Sequence, residues 1–337
     1  MTDAHRDPRV PLDVEPEPTA VDPTDLADRE ALAAALADVG RAVRDAVRSG
    51  EVGGVGHDGD GDDHLVVRTE GGDDVFGVDA RAEAALLGAL AGLGDRWPGT
   101  AVVEGHDEEI EIGDRSGPWR YLVDPVDGTR GLLAGKRSAW VLLGAGRHAR
   151  TLEDLEVGAA VEIPTRRAAV GLVAHAGVGG PARAVDDDLT GTDRPPRAVE
   201  LHPRGGDLAR RFVTVVRLAP GSHAPIGEWA DRHLAGLEVY DDLAPCTGGY
   251  LVGLAAGNDA AVFDPRPLLV PGHLAAHPYD LASLVVTRAA GAIVEALPPG
   301  PLDAPLDCTT PVAWAGYADA EVAARLRPPP GSLPEPG

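Results

Sequence analysis

Between Thr24 and Ser49 the apolar residues Leu32, Leu36, Val39, Val43 and Val47 recur in steps of three and four, the spacing of one helix face. Gly50 follows where a C-cap belongs. The stretch from Asp79 to Leu93 repeats that period and predicts a second helix. Shorter apolar runs have the length and flanks of strands instead: 64–68, 101–104, 120–124, 139–144, 157–163 and 167–174. After them, 176–207 carries Gly, Pro and charge with little apolar pattern and reads as an excursion or lobe junction. The pattern resumes with a strand from Phe212 to Leu218, a helix over 223–236, a strand at 237–240, a helix over 247–256 and a strand at 260–263. A helix over 280–290, closed by Gly291, then strands at 292–296 and 312–315 and a helix over 319–326 complete the chain. This order predicts an α/β protein with an N-terminal lobe over 24–175 and a C-terminal lobe over 208–327. The Pro- and Asp-rich stretch 1–23 and the Pro-rich tail 328–337 read as disordered, and 51–63 as a Gly-Asp loop.

One string interrupts these patterns with chemistry. Asp124-Pro125-Val126-Asp127-Gly128-Thr129 sets two carboxylates three residues apart, directly after the apolar run Tyr121-Leu122-Val123. A strand that ends on Asp, bends at proline and presents a second Asp aims both at one point. The Gly-Thr that follows can offer backbone N–H groups to an anion held there. Carboxylates for hard divalent cations beside amides for phosphate are the parts of a metal-dependent phosphatase. The bland alternative is an Asx-type turn in which Asp127 only caps a loop. Three other acids also stand at element ends: Glu104 after Ala101-Val102-Val103, Asp79 at a helix start with Glu83 one turn on, and Asp280 opening the helix before Gly291.

Composition narrows the partners. With 54 acidic against 30 basic residues the formal net charge is −24, which repels nucleic-acid polymers and anionic membranes. A small phosphorylated metabolite is still acceptable, because bound cations reverse the local sign. The polar, acidic start of the chain and the lack of a long apolar run predict neither signal peptide nor membrane span. Two cysteines, Cys246 and Cys308, are too few for a disulfide framework and suggest a reducing cytoplasm.

Several tempting motifs fail. Asp58-Gly-Asp60-Gly-Asp62 starts like an EF-hand loop, but Asp63 stands where glycine is needed and Thr69 where the bidentate glutamate belongs. Gly131 to Lys136 is one residue short of a P-loop, and Arg137 replaces the hydroxyl residue, so it reads as a flexible turn. His106-Asp107-Glu108-Glu109 reads as an exposed charged turn.

The acids and the Asp-Pro-Val-Asp-Gly-Thr string together resemble the inositol monophosphatase family, within the superfamily that includes fructose-1,6-bisphosphatase and the 3′(2′),5′-bisphosphate nucleotidases. The matching motifs run from about Arg68 to Gly291. The resemblance implies a layered α-β-α-β-α sandwich of two fused lobes. It implies a Mg²⁺-dependent phosphatase acting on a small phosphate monoester, with two or three Mg²⁺ ions and Mn²⁺ as a substitute. Glu104, Asp124 and the Val126 carbonyl would hold the first ion; Asp124, Asp127 and Asp280 would hold the second. The Gly128 and Thr129 amides would cradle phosphate, while the Thr129 hydroxyl, polarised by Asp79, would orient the attacking water alongside Glu104. Arg68 would help recruit an ion or the phosphate. Relatives are often dimers, which makes a homodimer compatible with the resemblance.

The departures are equally specific. Relatives carry Gly-Glu-Glu where Glu104 is followed by Gly105, which makes Glu108 a rival ligand. Arg130 follows Thr129 where inositol enzymes have Asn, and could meet a second phosphate as in bisphosphate nucleotidases. Tyr279 replaces a tryptophan, Cys246-Thr247-Gly248-Gly249 replaces a Gly-Ser segment, and 264–278 is longer and richer in proline. Alternatives are therefore a bisphosphate nucleotidase or sugar phosphatase of the same superfamily, and a non-catalytic descendant that binds a phosphorylated metabolite.

Overall fold

Alternation explains the main sheet. The structure, a computed structural model, describes residues 23–49, 66–70, 73–192, 194–217, 222–242 and 246–333; for 66–70, 73–76, 241 and 242 it describes the backbone alone. Helix α1 (Pro23–Ser49) is followed by a hairpin of β1 (Val66–Glu70) and β2 (Asp73–Phe76), then by α2 (Gly77–Ala91). The main sheet takes β3 (Gly99–Val103), β4 (Ile110–Ile112), β5 (Trp119–Asp127), β6 (Ala139–Arg147), β7 (Val157–Ile163), β8 (Val170–Gly177), β9 (Arg183–Asp188) and β10 (Arg197–Val199), with the short helix α3 (Thr129–Leu133) after β5. Its order is β10-β9-β8-β7-β6-β5-β3-β4, and only β3 and β5 run parallel. Along β6, Ala139, Val141, Leu143 and Ala145 face one core while Trp140 and Leu142 face another. A sheet buried on both faces reads as a continuous apolar run.

On the first face lie α1 and α2. Leu32, Leu36, Val39, Val43 and Val47 of α1 are all buried, together with Val78, Ala82, Leu86 and Leu90 of α2. Each such leucine or valine contributes roughly 1.5–3 kcal/mol over its exposed state. A Cβ on Gly40 would strike Val161, so α1 rides close to β7 at that point.

The rest of the chain builds a five-stranded sheet from β11 (Phe212–Val216), β12 (Glu238–Asp242), β13 (Asp259–Asp264), β14 (Ile293–Ala296) and β15 (Trp314–Tyr317), in the order β12-β11-β13-β15-β14. Helices α5 (Thr247–Ala255) and α7 (Leu284–Ala289) fill the layer between the sheets, where Leu251, Leu254 and Val285 meet Leu142, Ala160, Val262 and Trp314. Helices α4 (His223–His233) and α8 (Ala320–Leu326) cover the outer face through Trp229, Val322 and Ala323, and α6 (Arg266–Leu269) is a single turn after β13. The architecture is the expected α-β-α-β-α layering.

Several local expectations are corrected. The excursion 176–207 contains β9 and β10, which extend the main sheet. Its pattern hides this because an inward position of β9 is Asp187, held by Arg41 and Arg44 of α1 at 2.8 Å each. An ion pair replaces the apolar signal. The helix expected over 280–290 divides into a 3-10 turn, Pro278–Leu281, and α7, because the Asp280 carboxylate turns back to accept the His277 N–H. The turn expected at Gly131–Lys136 is helical through Leu133, with Gly131, Leu132 and Leu133 buried. Tail residue Leu333 is buried against the outer core. The arm over residues 1–22, the loop 51–63 and the Gly50 cap lie outside the described residues.

Candidate metal centre

Residues three apart on a regular strand point to opposite faces. Asp124 pairs with Leu142 and Asp127 with Trp140, so three steps along β5 oppose two along β6. This bulge accommodates Pro125, which has no N–H to donate, and turns both carboxylates to one side. Asp280 arrives from the 3-10 turn, which packs against β5, β6 and α5. One carboxylate oxygen each from Asp124, Asp127 and Asp280 lies within 4.8 Å of the others, with Asp124 and Asp127 buried.

Every member of the trio is anchored by a protein donor. Asp124 Oδ1 accepts the Val126 N–H at 2.9 Å, Asp280 Oδ2 accepts the His277 N–H at 2.7 Å, and Asp127 Oδ2 accepts the Gly248 N–H at 2.6 Å. Cys246 Sγ lies 3.4 Å from that same Asp127 oxygen. These bonds do not compensate the charge. Burial first, then Glu104, Asp127 and Asp280, push the Asp124 carboxyl well above its ordinary range. Burial and then Asp127 do the same to Asp280. Asp127 is raised by burial and restrained by its donors and by Arg137.

Glu104 adjoins the trio. Its N–H bonds the Val123 carbonyl at 3.0 Å, which carries the β3–β5 pairing one residue further and sets its side chain beside Asp124. Glu108 is exposed in the following turn, and neighbouring Glu109 is bound to Arg120 at 2.6 Å. Of the two glutamates, Glu104 is the one that bears on the cluster.

Gly128 follows Asp127 at φ 92°, a left-handed conformation that glycine adopts without strain, and it starts α3. The Thr129 hydroxyl lies 3.0 Å from Asp79 Oδ1 and 2.9 Å from the Val126 carbonyl. Asp79 stands in the first turn of α2, so residues fifty apart in sequence meet here. Arg130 is exposed on α3, and Arg68 lies on β1, its side chain outside the described residues. Cys246 and Gly248 are legible in the sequence only as a departure from the usual segment; their contact with Asp127 has no signal in the spacing.

A trio of acids, two of them buried and one half-buried, with raised proton affinity and three backbone donors is a poor resting place for three negative charges and a good one for a hard cation. Among the described residues this is the one grouping of three or more potential metal ligands so close together. No helix among them is long and apolar enough to cross a membrane.

No known family's sequence profile matches the chain, and no curated protein matches it in sequence. Solved structures do match in fold. The extragenic suppressor protein SuhB of Bartonella henselae superposes with a TM-score of 0.61 at 17% identity, over 88% of this chain and 97% of that one. The fructose-1,6-bisphosphatase of Leishmania major gives 0.64 at 12% identity, over 90% and 97%. An inositol monophosphatase from Anabaena (Nostoc) sp. PCC 7120 gives 0.57 at 14%, over 90% and 99%. The fold is the one shared with these inositol monophosphatase and fructose-1,6-bisphosphatase structures.

Proposed function

We propose that the protein is a Mg²⁺-dependent phosphatase of a small phosphate monoester. The observation that carries this reading is the convergence of buried Asp124 and Asp127 with half-buried Asp280, all with raised proton affinity, in a fold shared with phosphatases. Glu104, Asp124 and the Val126 carbonyl would hold one ion, and Asp124, Asp127 and Asp280 a second. Bound Mg²⁺, or Mn²⁺ in its place, supplies acidified water, a stabilised leaving oxygen and neutralised phosphate charge.

The donor set favours a small cation. Each acid of the trio already shares one oxygen with a protein N–H, so chelation of one ion by both its oxygens would compete with that bond. Ca²⁺ commonly uses such chelation, whereas Mg²⁺ takes one oxygen per carboxylate in an octahedron.

The chain's own residues position the reactants. The first amides of a helix lack intrahelical acceptors, so Gly128 and Thr129 would hold phosphate oxygens. Asp79 accepts from the Thr129 hydroxyl, which leaves the hydroxyl oxygen able to accept a hydrogen bond from water and orient it toward phosphorus. Glu104 would take up that water's proton. Exposed Arg130 would meet any further negative group on the substrate.

Phosphate release from a panel of inositol, sugar and nucleotide phosphates, with and without Mg²⁺, tests the proposal. Wild-type protein should turn over at least one substrate only with the metal, and Asp127→Asn should not. Absence of release from the whole panel overturns it.

A further inference from the structure

We infer that Cys246 is a positioning residue for Asp127 and for the phosphate loop, an inference that rests on the proposed metal-dependent function. Its side chain is fully buried at the N-cap of α5. Sγ lies 3.4 Å from Asp127 Oδ2 and 3.5 Å from the Asp127 carbonyl, so the thiol proton has acceptors on both the side chain and the backbone of one residue. The Gly248 N–H, in the first turn of α5, reaches the same Oδ2 at 2.6 Å. Asp127 Oδ2 is therefore gripped by a strong amide and a weak thiol from one helix start.

The thiol also touches the next residue of the motif. A Cβ placed on Gly128 would lie 3.0 Å from Cys246 Sγ and 3.1 Å from its Cβ. Cys246 thus fills the space that a side chain at 128 would need, and it closes on the left-handed turn that sets the Gly128 and Thr129 amides. A sulfur suits this position because it is large enough to pack against the glycine and still offers a donor. Serine keeps the donor with less bulk, and alanine removes it. Residues that orient metal ligands from behind commonly change metal affinity about 10- to 100-fold when lost.

The test is Mn²⁺ and Mg²⁺ binding to wild type, Cys246→Ser and Cys246→Ala, followed by calorimetry and Mn²⁺ electron paramagnetic resonance, with thermal unfolding of the metal-free proteins alongside. Both substitutions shrink the side chain and so introduce no clash, and the thermal unfolding reads whether the fold is retained. Alanine should weaken one ion about tenfold and leave the other unchanged. Serine should remain within about threefold of wild type, a rescue that a space-filling role would not produce. Equal binding by all three proteins, or equal weakening in Ser and Ala, overturns the positioning role while leaving the metal reading intact. Absence of divalent-ion binding by wild type overturns both.

Discussion

Two buried groups of charge in this molecule behave in opposite ways. Asp187 of β9 lies between Arg41 and Arg44 of α1, and those guanidinium groups hold its carboxyl below the ordinary range despite burial. Asp124 and Asp127, buried, and Asp280, half-buried, have one another for neighbours, and all three are raised. The side chain is the same in each case. Only the partner differs, and the partner decides whether a buried aspartate ties elements together or stores repulsion for a ligand to relieve. Asp264 is likewise paired with arginine, fully buried and bound by the Arg266 guanidinium through two bonds of 2.6 and 2.7 Å. The molecule keeps its arginine-paired aspartates at structural joints and sets one trio of aspartates against itself.

The largest expected effect falls on the trio. Asp124→Asn should reduce phosphate release by about a thousandfold or more, since a lost metal ligand removes several kcal/mol of transition-state stabilisation. The metal-free variant should nonetheless melt higher than metal-free wild type, because one repelling charge is gone. A lower melting temperature would place Asp124 with the structural aspartates and break the comparison.

Asp187→Ala should do the reverse. Removing it leaves the buried Arg44 guanidinium with only the more exposed Asp45 as a carboxylate partner, at a cost of about 3 kcal/mol in urea unfolding. Mg²⁺ binding by that variant should match wild type. Loss of Mg²⁺ affinity with unchanged stability would erase the distinction between the two groups.

Metal linkage is the next effect in size. Mg²⁺ at a hundred times its dissociation constant should raise wild-type stability by about 2.7 kcal/mol, with little gain in Asp124→Asn. Equal gains in both, read from thermal unfolding, would move the ion elsewhere on the surface.

The pH response is the smallest effect and separates the groups by sign. The trio's raised carboxyls bind protons more tightly in the metal-free fold than in the unfolded chain. Stability from them is therefore greatest at low pH and falls as pH rises through the raised values. The melting difference between metal-free wild type and Asp124→Asn should shrink steadily as pH is lowered from neutrality. Asp187 is lowered instead, so its contribution is present above the ordinary carboxylate range and is lost only as pH falls through the lowered value. A difference between wild type and the Asp124→Asn variant that grows on acidification would contradict the assignment of repulsion to this cluster.

The legibility of the chain follows the same division between apolar and ionic contacts. The α1 face from Leu32 to Val47 and β7 over Val157–Ile163 are readable because burial of apolar side chains leaves a period in the helix and a nearly continuous apolar run in the strand. β9 is not, since its inward Asp187 has no hydrophobic signature and its partners lie about 145 residues earlier. β4 escapes because Ile110–Ile112 is a three-residue edge strand, too short to show alternation. Asp124, Asp127 and Asp280 are visible as acids at element ends. Cys246 and Gly248 are not visible as support for Asp127, because a thiol and a backbone amide leave no pattern that spacing can reveal.

Sequence alone determined which segments are helices and strands wherever a face is apolar, and which residue types could hold a cation beside a phosphate. The bulge that turns Asp124 and Asp127 to one side, the distance at which Asp79 meets Thr129, and the placing of Glu104 beside Asp124 were decided only by tertiary structure. Local propensity acts over a few residues, whereas a cluster of like charges is assembled by packing between elements distant in the chain, which alone sets their separation and their burial.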